Sequence, residues 1–522
     1  MNSIIVPIVA ILFYAAYGII WRLYFSPIAK FPGPKLAAVS ILYEIYHEII
    51  LGGQYTFKIR KMHDEYGPII RINPWELHIN DPDYYDELYV AGGKKRDKYF
   101  YFTKQFGNSE SMIGTVSHDH HRLRRGIMNR YFSKASVVRL ETMIQKHVDS
   151  LVLKLRSYRD TKKEVNLSLA FSCFTNDVIS EYALGKSDNY VENSEDFQTD
   201  LQVAISNVSK ISHVTKVFPW ILPLMQSMPL WAIRYLDPKF VSVVEFQKGL
   251  QTQIGAIING KNTDHKRSSH PTIFHEILSS DLPSNEKSVE RLWQEGQTVI
   301  GAGTETTAWT LSVITYHVLA NPDILSKLLV ETNGESGLKE LEQLPYLTAV
   351  IQEGLRLSFG VVAHLQRISP DQPLMFDKWE IPPGTPVSMS SLLQHLDPRI
   401  FPSPTIFSPT RFLENRSLSK YIISFSKGSR QCLGINLAWA ELYLCVRGVI
   451  GGLKLVLHDT DVGDVEYYTS ASTPASRAIL DFSDIKRPAS GPHTLVLKSD
   501  FLKLAVLTLL SVARKDREAA GD

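Results

Sequence analysis

The feature that most constrains this chain is a short loop with two glycines around a lone cysteine, directly before an apolar helical pattern. The loop covers residues 425–434 and contains Cys432, and the apolar pattern over residues 435–450 predicts a helix. A cysteine at this position meets the positive end of the helix dipole and free backbone N–H groups, and both stabilise a thiolate. Gly428 permits a sharp turn, and Gly434 lets a flat ligand approach the backbone. The pattern predicts a thiolate presented to a flat ligand, and the alternative is a structural cysteine buried in a glycine-rich turn.

The composition excludes several classes of protein. With 522 residues, the chain is long enough to bury a large core without disulfide bonds. Its only cysteines are Cys173, Cys432 and Cys445, which excludes a disulfide scaffold and a multi-cysteine zinc module, and we expect Cys173 and Cys445 to be core residues. The 56 Lys and Arg residues nearly balance the 54 Asp and Glu residues, and no basic stripe is interleaved with aromatic residues. The chain is therefore not predicted to bind nucleic acid.

Residues 425–434 read FSKGSRQCLG, which resembles the haem-binding loop of the cytochrome P450 family, F-x-x-G-x-R-x-C-x-G, at every fixed position. The resemblance implies that the thiolate of Cys432 is the axial ligand of the iron of haem b. It also implies that Phe425 packs beside this ligand, and Arg430 is placed to reach an anionic group beside the sulfur. Backbone N–H bonds to the sulfur would tune the potential of the site.

A second motif, AGTETT at residues 302–307, lies in the middle of a helix predicted over residues 289–319. Glycine and adjacent threonines are poor choices for a helix interior, and such departures often mark function. We expect Gly303 to leave room beside the helix for a diatomic ligand. The family has an acid–alcohol pair over the distal haem face, which implies that Glu305 and Thr306 are catalytic residues that deliver protons. A kink that serves helix packing is the alternative interpretation of the motif.

Three further residues are expected to bind the haem propionates. In the family a W-x-x-x-R sequence contacts a propionate, and His121 and Arg125 occupy these two positions here. His121 can still donate a hydrogen bond, and Arg125 keeps the charge. His364 lies near the position where related fungal members often carry arginine, which implies that it also contacts a propionate. The preceding residues 361–363 would line an apolar substrate wall.

Other basic residues in this part of the sequence predict a docking surface. Arg122 and Arg124, with Lys134 and Lys427, would form a proximal surface for the acidic flavin domain of a reductase, and a merely solvated basic face is the alternative for Arg122 and Arg124. The sequence contains no glycine-rich dinucleotide-binding motif. The resemblance implies that electrons come from NADPH through a separate NADPH–cytochrome P450 reductase.

The residues Glu353 and Arg356 lie at positions i and i+3 of a helix predicted over residues 344–357. Taken alone, such a pair is usually solvated and contributes little to stability. In the family this pair is buried and joined by an arginine from a later loop, and the sequence around Arg411 matches that loop. The resemblance implies that these three residues support the haem core and are not catalytic.

The segment of residues 98–106, KYFYFTKQF, has more aromatic residues than an ordinary exposed loop. In the family this region covers the substrate pocket, which implies substrate contact or a membrane-facing entrance. Packing in the core or against a membrane is the alternative for each aromatic residue. The residues concerned are Tyr99, Phe100, Tyr101, Phe102 and Phe106.

The N-terminal residues 2–21 contain no charged residue. As a helix with about 1.5 Å rise per residue, this run would span roughly 30 Å, the thickness of a bilayer core. The basic residues Arg22, Lys30 and Lys35 follow, as the positive-inside rule expects of a cytosolic flank. A cleaved signal peptide is the alternative, but no charged region precedes the run and no clear cleavage site follows it. We expect a single-pass anchor in the endoplasmic reticulum membrane with the catalytic domain in the cytosol.

The rest of the chain is predicted to form one large body. Short strand patterns at residues 69–72 and 76–79 and many helical patterns predict a mainly α fold with a minor β-sheet. The resemblance identifies this architecture as the cytochrome P450 fold, a single large haem domain behind an N-terminal membrane helix. After residue 464 the family's usual final hairpin cannot be matched. The predicted boundaries are 1–21 for the transmembrane anchor, 22–40 for a proline-rich linker, 41–500 for the haem domain and 501–522 for a C-terminal extension of unknown role.

These observations predict a haem-thiolate monooxygenase that uses O2 to oxidise, by default to hydroxylate, a small lipophilic substrate. Residues 31–36 and 66–74 resemble the trichodiene-oxygenase-like branch of fungal microsomal members, which acts in secondary metabolism on terpenoids and polyketides. A haem-thiolate isomerase or dehydratase is one alternative, and the pair of Glu305 and Thr306 argues against it. A non-catalytic haem-binding protein is the other.

Overall fold

The computed structural model describes residues 2–161, 163–262, 264–266, 270–335, 337–466 and 478–480. Most of these residues are helical, so the predicted mainly α fold with a minor sheet is confirmed. The α-helices are α1 (Asn2–Ile20), α2 (Lys35–Val39), α3 (Leu42–Ile45), α4 (Tyr55–Tyr66), α5 (Tyr85–Leu88), α6 (Phe100–Thr103), α7 (His118–Asn129), α8 (Lys134–Val138), α9 (Glu141–Thr161), α10 (Leu167–Leu184), α11 (Tyr190–Asn193), α12 (Asp200–Val217), α13 (Ile221–Ser227), α14 (Leu230–Leu236), α15 (Val241–Ile258), α16 (Ile273–Ser279), α17 (Val289–Ala320), α18 (Pro322–Glu331), α19 (Leu338–Leu341), α20 (Pro345–Ser358), α21 (Ser391–His395), α22 (Thr410–Glu414) and α23 (Ile435–Val449).

The strands are short and lie in small sheets. The largest sheet has the order β1-β2-β6-β3, in which β1 and β2 form an antiparallel hairpin and β2 runs parallel to β6. The pairing of Leu77 with Val387 brings the early part of the chain against the segment that follows α20. The strands are β1 (Ile69–Arg71), β2 (Leu77–Ile79), β3 (Arg367–Ile368), β4 (Leu374–Phe376), β5 (Trp379–Ile381), β6 (Pro386–Ser388), β7 (Leu455–Leu457) and β8 (Ala478–Leu480).

The long helix α17 organises the core. The side chain of Ser288 caps its first turn, and Pro322 starts the next helix directly after it, which is a position that proline favours. Helix α17 packs against α10, α15, α20 and α23. A Cβ atom on Gly354 of α20 would lie 2.1 Å from the side chain of Ile314 of α17, so glycine is required where these two helices cross.

Helix α20 also holds a buried ion network. The guanidinium of Arg356 donates to both carboxylate oxygens of Glu353, at 2.8 and 2.7 Å, and Arg411 donates to one of them at 3.1 Å. Glu353 and Arg356 are fully buried. Arg356 also donates to the carbonyl oxygens of His395 and Pro404, which ties α20 to the loops that follow it. The structure thus brings together the three charged residues that the sequence placed in one structural network.

The N-terminal helix α1 lies apart from the core, and its apolar side chains are exposed. A short π-helical stretch, Trp21–Phe25, continues it. Within the described residues, the segment Ile5–Phe25 is the one stretch long and apolar enough to cross a membrane. The structure is therefore compatible with a membrane anchor at this end.

The C-terminal region contains a feature that the sequence analysis did not find. Strand β8 pairs with β7 in antiparallel fashion, with Leu480 opposite Leu455, so a final antiparallel strand pair is present and its second strand lies beyond residue 464. The apolar pattern of β8 is too short to be recognised as a strand in the sequence. The predicted extension over residues 501–522 lies outside the described residues.

Candidate active site

The loop before α23 has the tight backbone that its glycines predicted. The N–H of Cys432 donates to the carbonyl oxygen of Phe425 at 2.9 Å, and Gly428 has a φ of 75°. A Cβ atom on Gly428 would lie 2.2 Å from the carbonyl oxygen of Tyr89. Glycine is therefore needed at position 428 for two reasons: the left-handed backbone, and the close approach of the loop to the backbone of Tyr89. Phe425 is half-buried and packs against the main core.

The Cys432 thiol lies in an unusual environment. Its side chain is accessible to solvent-sized molecules, although protein atoms surround it closely enough that burial raises the pKa of the thiol. The N–H of Gly434 donates to the sulfur and the charge of Arg125 lies nearby, and both lower this pKa in part. The sulfur therefore opens onto a space inside the protein. Cys173 and Cys445, by contrast, are buried core residues, as predicted.

Two predicted cofactor-binding arginines flank the loop. Arg125 donates to the carbonyl oxygen of Gln431 at 2.6 Å, which places it beside Cys432. Arg430 donates through its two Nη atoms to the carbonyl oxygens of Thr115 and Val116, both at 2.6 Å. These bonds to the backbone hold both guanidinium groups in place, that of Arg125 beside the sulfur and that of Arg430 against residues 115 and 116.

Further buried basic groups complete a cluster around Arg430. Burial and the charge of Arg430 hold the pKa of Lys98 well below its usual range, and the charge of Arg367 acts in the same direction. Burial and the charge of Arg430 also lower the pKa of His121 to about 2. Burial and the charge of Arg367 lower the pKa of Arg430 to about 9, which the nearby Asp97 only partly offsets. We call this set the basic cluster: Lys98, His121, Arg125, Arg367 and Arg430.

The basic cluster is suited to an anion with more than one charge. Burying like charges together is costly unless an opposite charge lies among them. The Nε atom of Arg430 and the Nδ1 atom of His121 are buried and make no hydrogen bond. Haem b carries two carboxylates on one edge and an iron at its centre. A group of cations next to an accessible thiol fits both parts of this molecule.

His364 does not join the basic cluster. Its imidazole is fully enclosed, with Nε2 3.4 Å from the Glu76 carboxylate. Burial and the charge of Lys216 lower the pKa of His364 to about 4, and the ring of Tyr55 packs against it edge-on. The contact of His364 with a propionate stays a prediction, and Arg367 of strand β3, three residues later, lies in the cluster instead.

Sequence analysis missed Lys98 and Arg367. Arg367 was visible as the last residue of the HLQR sequence at residues 364–367, and Lys98 as the first residue of the aromatic segment. In each case the signal for a buried cation was a single basic residue within a largely apolar sequence. Which of two nearby basic residues points inward depends on the strand register, which the sequence alone does not specify.

On α17, an accessible face interrupts an otherwise buried helix. Ala302 and Thr306, one turn apart, are exposed, whereas Thr304 and Thr307 are buried. The hydroxyl of Thr306 donates to the carbonyl oxygen of Ala302 at 2.9 Å. A hydroxyl on an accessible face in the middle of the core is placed to act on a bound molecule.

The side chain of Glu305 lies on a different side of α17 from that of Thr306. Burial raises the pKa of the Glu305 carboxyl to about 7, and the nearby hydroxyl of Ser172 of α10 acts against this shift. The carboxyl therefore lies on the side of α17 that faces α10. A pKa near neutrality allows the group both to hold and to release a proton under physiological conditions.

Gly303 has a different role from the one predicted. A Cβ atom at this position would lie 2.7 Å from the side chain of Ile179 of α10. The glycine therefore permits close packing of α10 on α17, and the expected space for a diatomic ligand is not on this side of the helix. The packing of α10 here is polar as well, since Thr175 donates to the carbonyl oxygen of Thr304 at 2.7 Å.

The aromatic segment 98–106 lies between α12 and α17. Gln297 of α17 donates to the carbonyl oxygen of Phe106 at 2.9 Å, and Thr215 of α12 donates to that of Gln105 at 2.5 Å. Tyr99 and Phe102 are buried, whereas Phe100 is exposed. The segment is therefore mostly a packed layer over α17.

The predicted proximal basic surface is smaller than expected. Arg124 is buried and forms an ion pair with Glu286 at 2.7 Å, so it is not available on the surface. The amino groups of Lys134 and Lys427 are paired with Glu342 and Asp86, respectively. Arg122 remains exposed and lines a cleft of about 560 Å³ beside the cysteine loop. Helix periodicity explains the error, because residues 122 and 124 point to different faces of α7.

Comparison with known proteins agrees with this geometry. The family described as cytochrome P450 matches residues 32–482. The cytochrome P450 monooxygenase tpcC of Cochliobolus heterostrophus is 42% identical over 480 residues, which cover 89% of this chain and 91% of that protein. The tryptophan 6-hydroxylase fscE of Fusarium equiseti is 42% identical over 467 residues, with 87% and 91% covered. The conidiogenone synthase PchP450 of Penicillium rubens is 40% identical over 454 residues, with 86% and 91% covered.

Proposed function

Since this chain belongs to the cytochrome P450 family and is a monooxygenase of that family, we propose that it hydroxylates a small lipophilic intermediate of fungal secondary metabolism. The observation that carries the proposal is the accessible, enclosed thiol of Cys432 beside the basic cluster. Terpenoids and polyketides are the substrate classes that we favour. The name of one relative, a tryptophan 6-hydroxylase, adds aromatic amino acids as a class to be tested.

The cofactor of this family is haem, and the residues around Cys432 fit it. We propose that the Cys432 sulfur holds the iron and that the basic cluster holds the two carboxylates, with Phe425 packed beside the sulfur. When bound, haem supplies the reductive activation of O2. The protein orients the group through the backbone bonds that fix Arg125 and Arg430.

We propose that Thr306 and Glu305 move protons to the accessible face of α17. A helical threonine has two favoured side-chain rotamers, because its hydroxyl can bond to a carbonyl of the preceding turn. The Thr306 hydroxyl can therefore leave the carbonyl oxygen of Ala302 and donate to a molecule on the accessible face. Glu305, with a pKa of about 7, can then return a proton to Thr306 after its carboxyl rotates away from Ser172.

We expect the substitution Thr306→Ala to lower the product formed per NADPH consumed by about tenfold, because a missing hydroxyl interrupts proton delivery without changing electron supply. The measurement uses the reductase, NADPH, O2 and a compound that the wild-type protein oxidises, and follows product and hydrogen peroxide. The variant Thr306→Ser keeps the hydroxyl and is expected to remain coupled. Full coupling in Thr306→Ala would contradict the proposed role of Thr306 in proton delivery.

The basic cluster leads to a second expected result. The variant Arg367→Gln should lose haem to an excess of a haem-free globin at least about tenfold faster than the wild type, because one charged partner of the carboxylates is removed. The variant His364→Gln serves as the matched control, since His364 faces Glu76 and lies outside the cluster. Equal haem loss from both variants would contradict the assignment of Arg367.

Membrane association is supported by two apolar regions. We propose that α1 is a single-pass anchor in the endoplasmic reticulum membrane and that the haem domain is cytosolic. Beyond α1, large apolar side chains on α13, α14 and the turn before them are exposed, including Trp220, Trp231 and Tyr235 at 60%, 75% and 88%. Aromatic residues of this kind suit the interface of a membrane. The exposed side chains on α13 and α14 would form a second apolar surface besides α1, and this surface would hold the haem domain against the bilayer.

The electron donor is proposed to be NADPH–cytochrome P450 reductase. Its docking surface would be centred on the exposed Arg122, next to the cleft beside the cysteine loop. This is the side of the protein nearest to Cys432. A non-catalytic haem carrier is the remaining alternative, and product formation with reductase and NADPH excludes it.

A further inference from the structure

Two side chains of α10 bind one residue of α17, Thr304, which precedes Glu305 in the chain. The hydroxyl of Thr175 donates to the carbonyl oxygen of Thr304 at 2.7 Å, and the amide of Asn176 donates to its side-chain hydroxyl at 3.1 Å. Thr175 and Thr304 are fully buried, and Asn176 is only 2% exposed. Buried polar groups that bond to each other in this way fix a geometry, because an unpaired partner is costly.

Other groups support these two bonds. Ser180 of α10 donates a long hydrogen bond of 3.4 Å to Oδ1 of Asn176, which leaves the Nδ2 atom directed at Thr304. The Thr304 hydroxyl donates to the carbonyl oxygen of Ile300, one turn earlier in α17, at 2.7 Å. The Thr175 hydroxyl lies closer to the carbonyl oxygen of Thr304 than to the carbonyl oxygens of its own helix, which are 2.9 and 3.2 Å away. Both helices therefore hold the contact in one arrangement.

The apolar packing at this crossing sets the distance between the helices but not the rotation of α17 about its axis. A Cβ atom on Gly303 would lie 2.7 Å from Ile179 of α10, so the two backbones approach closely here. Hydrophobic contacts have no preferred direction, whereas hydrogen bonds weaken steeply as their angle changes. The two bonds to Thr304, one to its backbone and one to its side chain, therefore determine how α17 is rotated.

The rotation of α17 determines which of its groups reach the accessible face. Successive residues of an α-helix are about 100° apart, so Thr304 and Thr306 lie on nearly opposite sides of α17 and Glu305 lies between them. The exposure of the side chains agrees, since Thr304 is buried and Thr306 is exposed. Glu305 has Ser172 of α10 as a neighbour. A rotation that withdraws Thr304 from α10 would therefore move both Glu305 and Thr306 relative to a molecule on the accessible face.

We propose that Thr175 and Asn176 are positioning residues, which hold α17 at the rotation in which Glu305 can pass a proton to Thr306. Both side chains are buried between the helices, so they act without touching a molecule at the site. They act through Thr304, whose backbone they hold directly beside Glu305. The inference rests on the proposed function in that it assumes proton delivery by Glu305 and Thr306.

The test compares Thr175→Val, which removes the hydroxyl and keeps the size of the side chain, with Thr175→Ser, which keeps the hydroxyl. Ser168→Ala is the matched control, because it removes another hydrogen bond between the same helices, to Ser312 at 3.0 Å, about two turns from Thr304. All variants are prepared as full-length haem proteins. We expect amide hydrogen exchange in residues 300–308 to be at least about tenfold faster in Thr175→Val and close to wild type in the other two.

Turnover gives a second readout, with the same oxidised compound that is used for Thr306→Ala. We expect Thr175→Val to form about threefold less product per NADPH consumed, and Thr175→Ser to restore most of it, because the groups are present but poorly aligned in the valine variant. Asn176→Ala removes the other bond to Thr304 and should act in the same direction. The double variant of Thr175→Val and Thr306→Ala should be no less coupled than Thr306→Ala alone, since a residue that acts through Thr306 has no effect once that hydroxyl is missing.

Unchanged hydrogen exchange in Thr175→Val, or faster exchange with unchanged product per NADPH, would overturn the proposal. A further loss in the double variant would also overturn it, because Thr175 would then act on a different group. A fully coupled Thr306→Ala protein would contradict the proposed proton delivery itself. A coupled Thr175→Val protein beside an uncoupled Thr306→Ala protein would contradict only the positioning role of Thr175.

Discussion

The variant Cys432→Ser is expected to lose the optical spectrum of thiolate ligation and at least about a thousandfold of turnover. A serine hydroxyl does not ionise near neutral pH and is a poor ligand, so the electron donation of the sulfur is lost. The hydrogen bond from Gly434 and the charge of Arg125 are both arranged around the sulfur. The measurement is the absorption spectrum of the reduced carbon monoxide complex, together with product formation in the presence of reductase.

The other cysteines provide the control for this experiment. Cys445 is fully buried in α23, and Cys445→Ala should keep the thiolate spectrum even if stability falls somewhat. A Cys432→Ser protein with the wild-type spectrum and full turnover would contradict the assignment of Cys432 as the iron ligand.

The variant Glu353→Ala is expected to lower the free energy of unfolding by about 3–5 kcal/mol, because it leaves the buried Arg356 and the partly buried Arg411 without their carboxylate. Arg356 makes two charge-assisted bonds to Glu353 and has no access to water. Since the loss approaches the whole stability of many proteins, little folded protein that contains haem should be recovered. The measurement is denaturant unfolding followed by circular dichroism and haem absorbance.

An ion pair that is exposed on both sides offers a comparison. Lys94 pairs with Glu87 at 2.8 Å, and their side chains are 51% and 43% exposed. The variant Lys94→Ala is therefore expected to change the free energy of unfolding by only about 0–1 kcal/mol. Similar losses from Glu353→Ala and Lys94→Ala would show that the buried network has no special structural role.

Local sequence was sufficient for groups whose position depends on their own neighbours. Cys432 and Gly428 lie in one tight loop, and the spacing of glycine, arginine and cysteine determines which backbone groups meet. The pair Glu353 and Arg356 lies on one helix at i and i+3, so its geometry follows from helical periodicity. These features could be predicted before any tertiary contact was known.

Prediction failed where two distant segments had to be placed against each other. His364 was expected to contact an anion and Arg367 was not considered, and the structure places Arg367 of β3, which pairs with β6, in the basic cluster. Gly303 was interpreted as space for a ligand, but its neighbour is Ile179 of α10. Arg124 was expected on the surface, yet it is paired with Glu286, which is 162 residues away in the chain.

The sequence by itself determined which groups form the site: a cysteine before a helix, a threonine and an acid in the middle of a long helix, and an apolar N-terminal segment. Each of these is a short-range pattern, in which backbone geometry and residue type are enough to specify the group. Only the tertiary structure decided which cations surround the thiol and which hydrogen bonds connect α10 to α17. The reason is physical, because burial and the charge of neighbours shift pKa values and strengthen ion pairs, and both depend on segments that are remote in sequence.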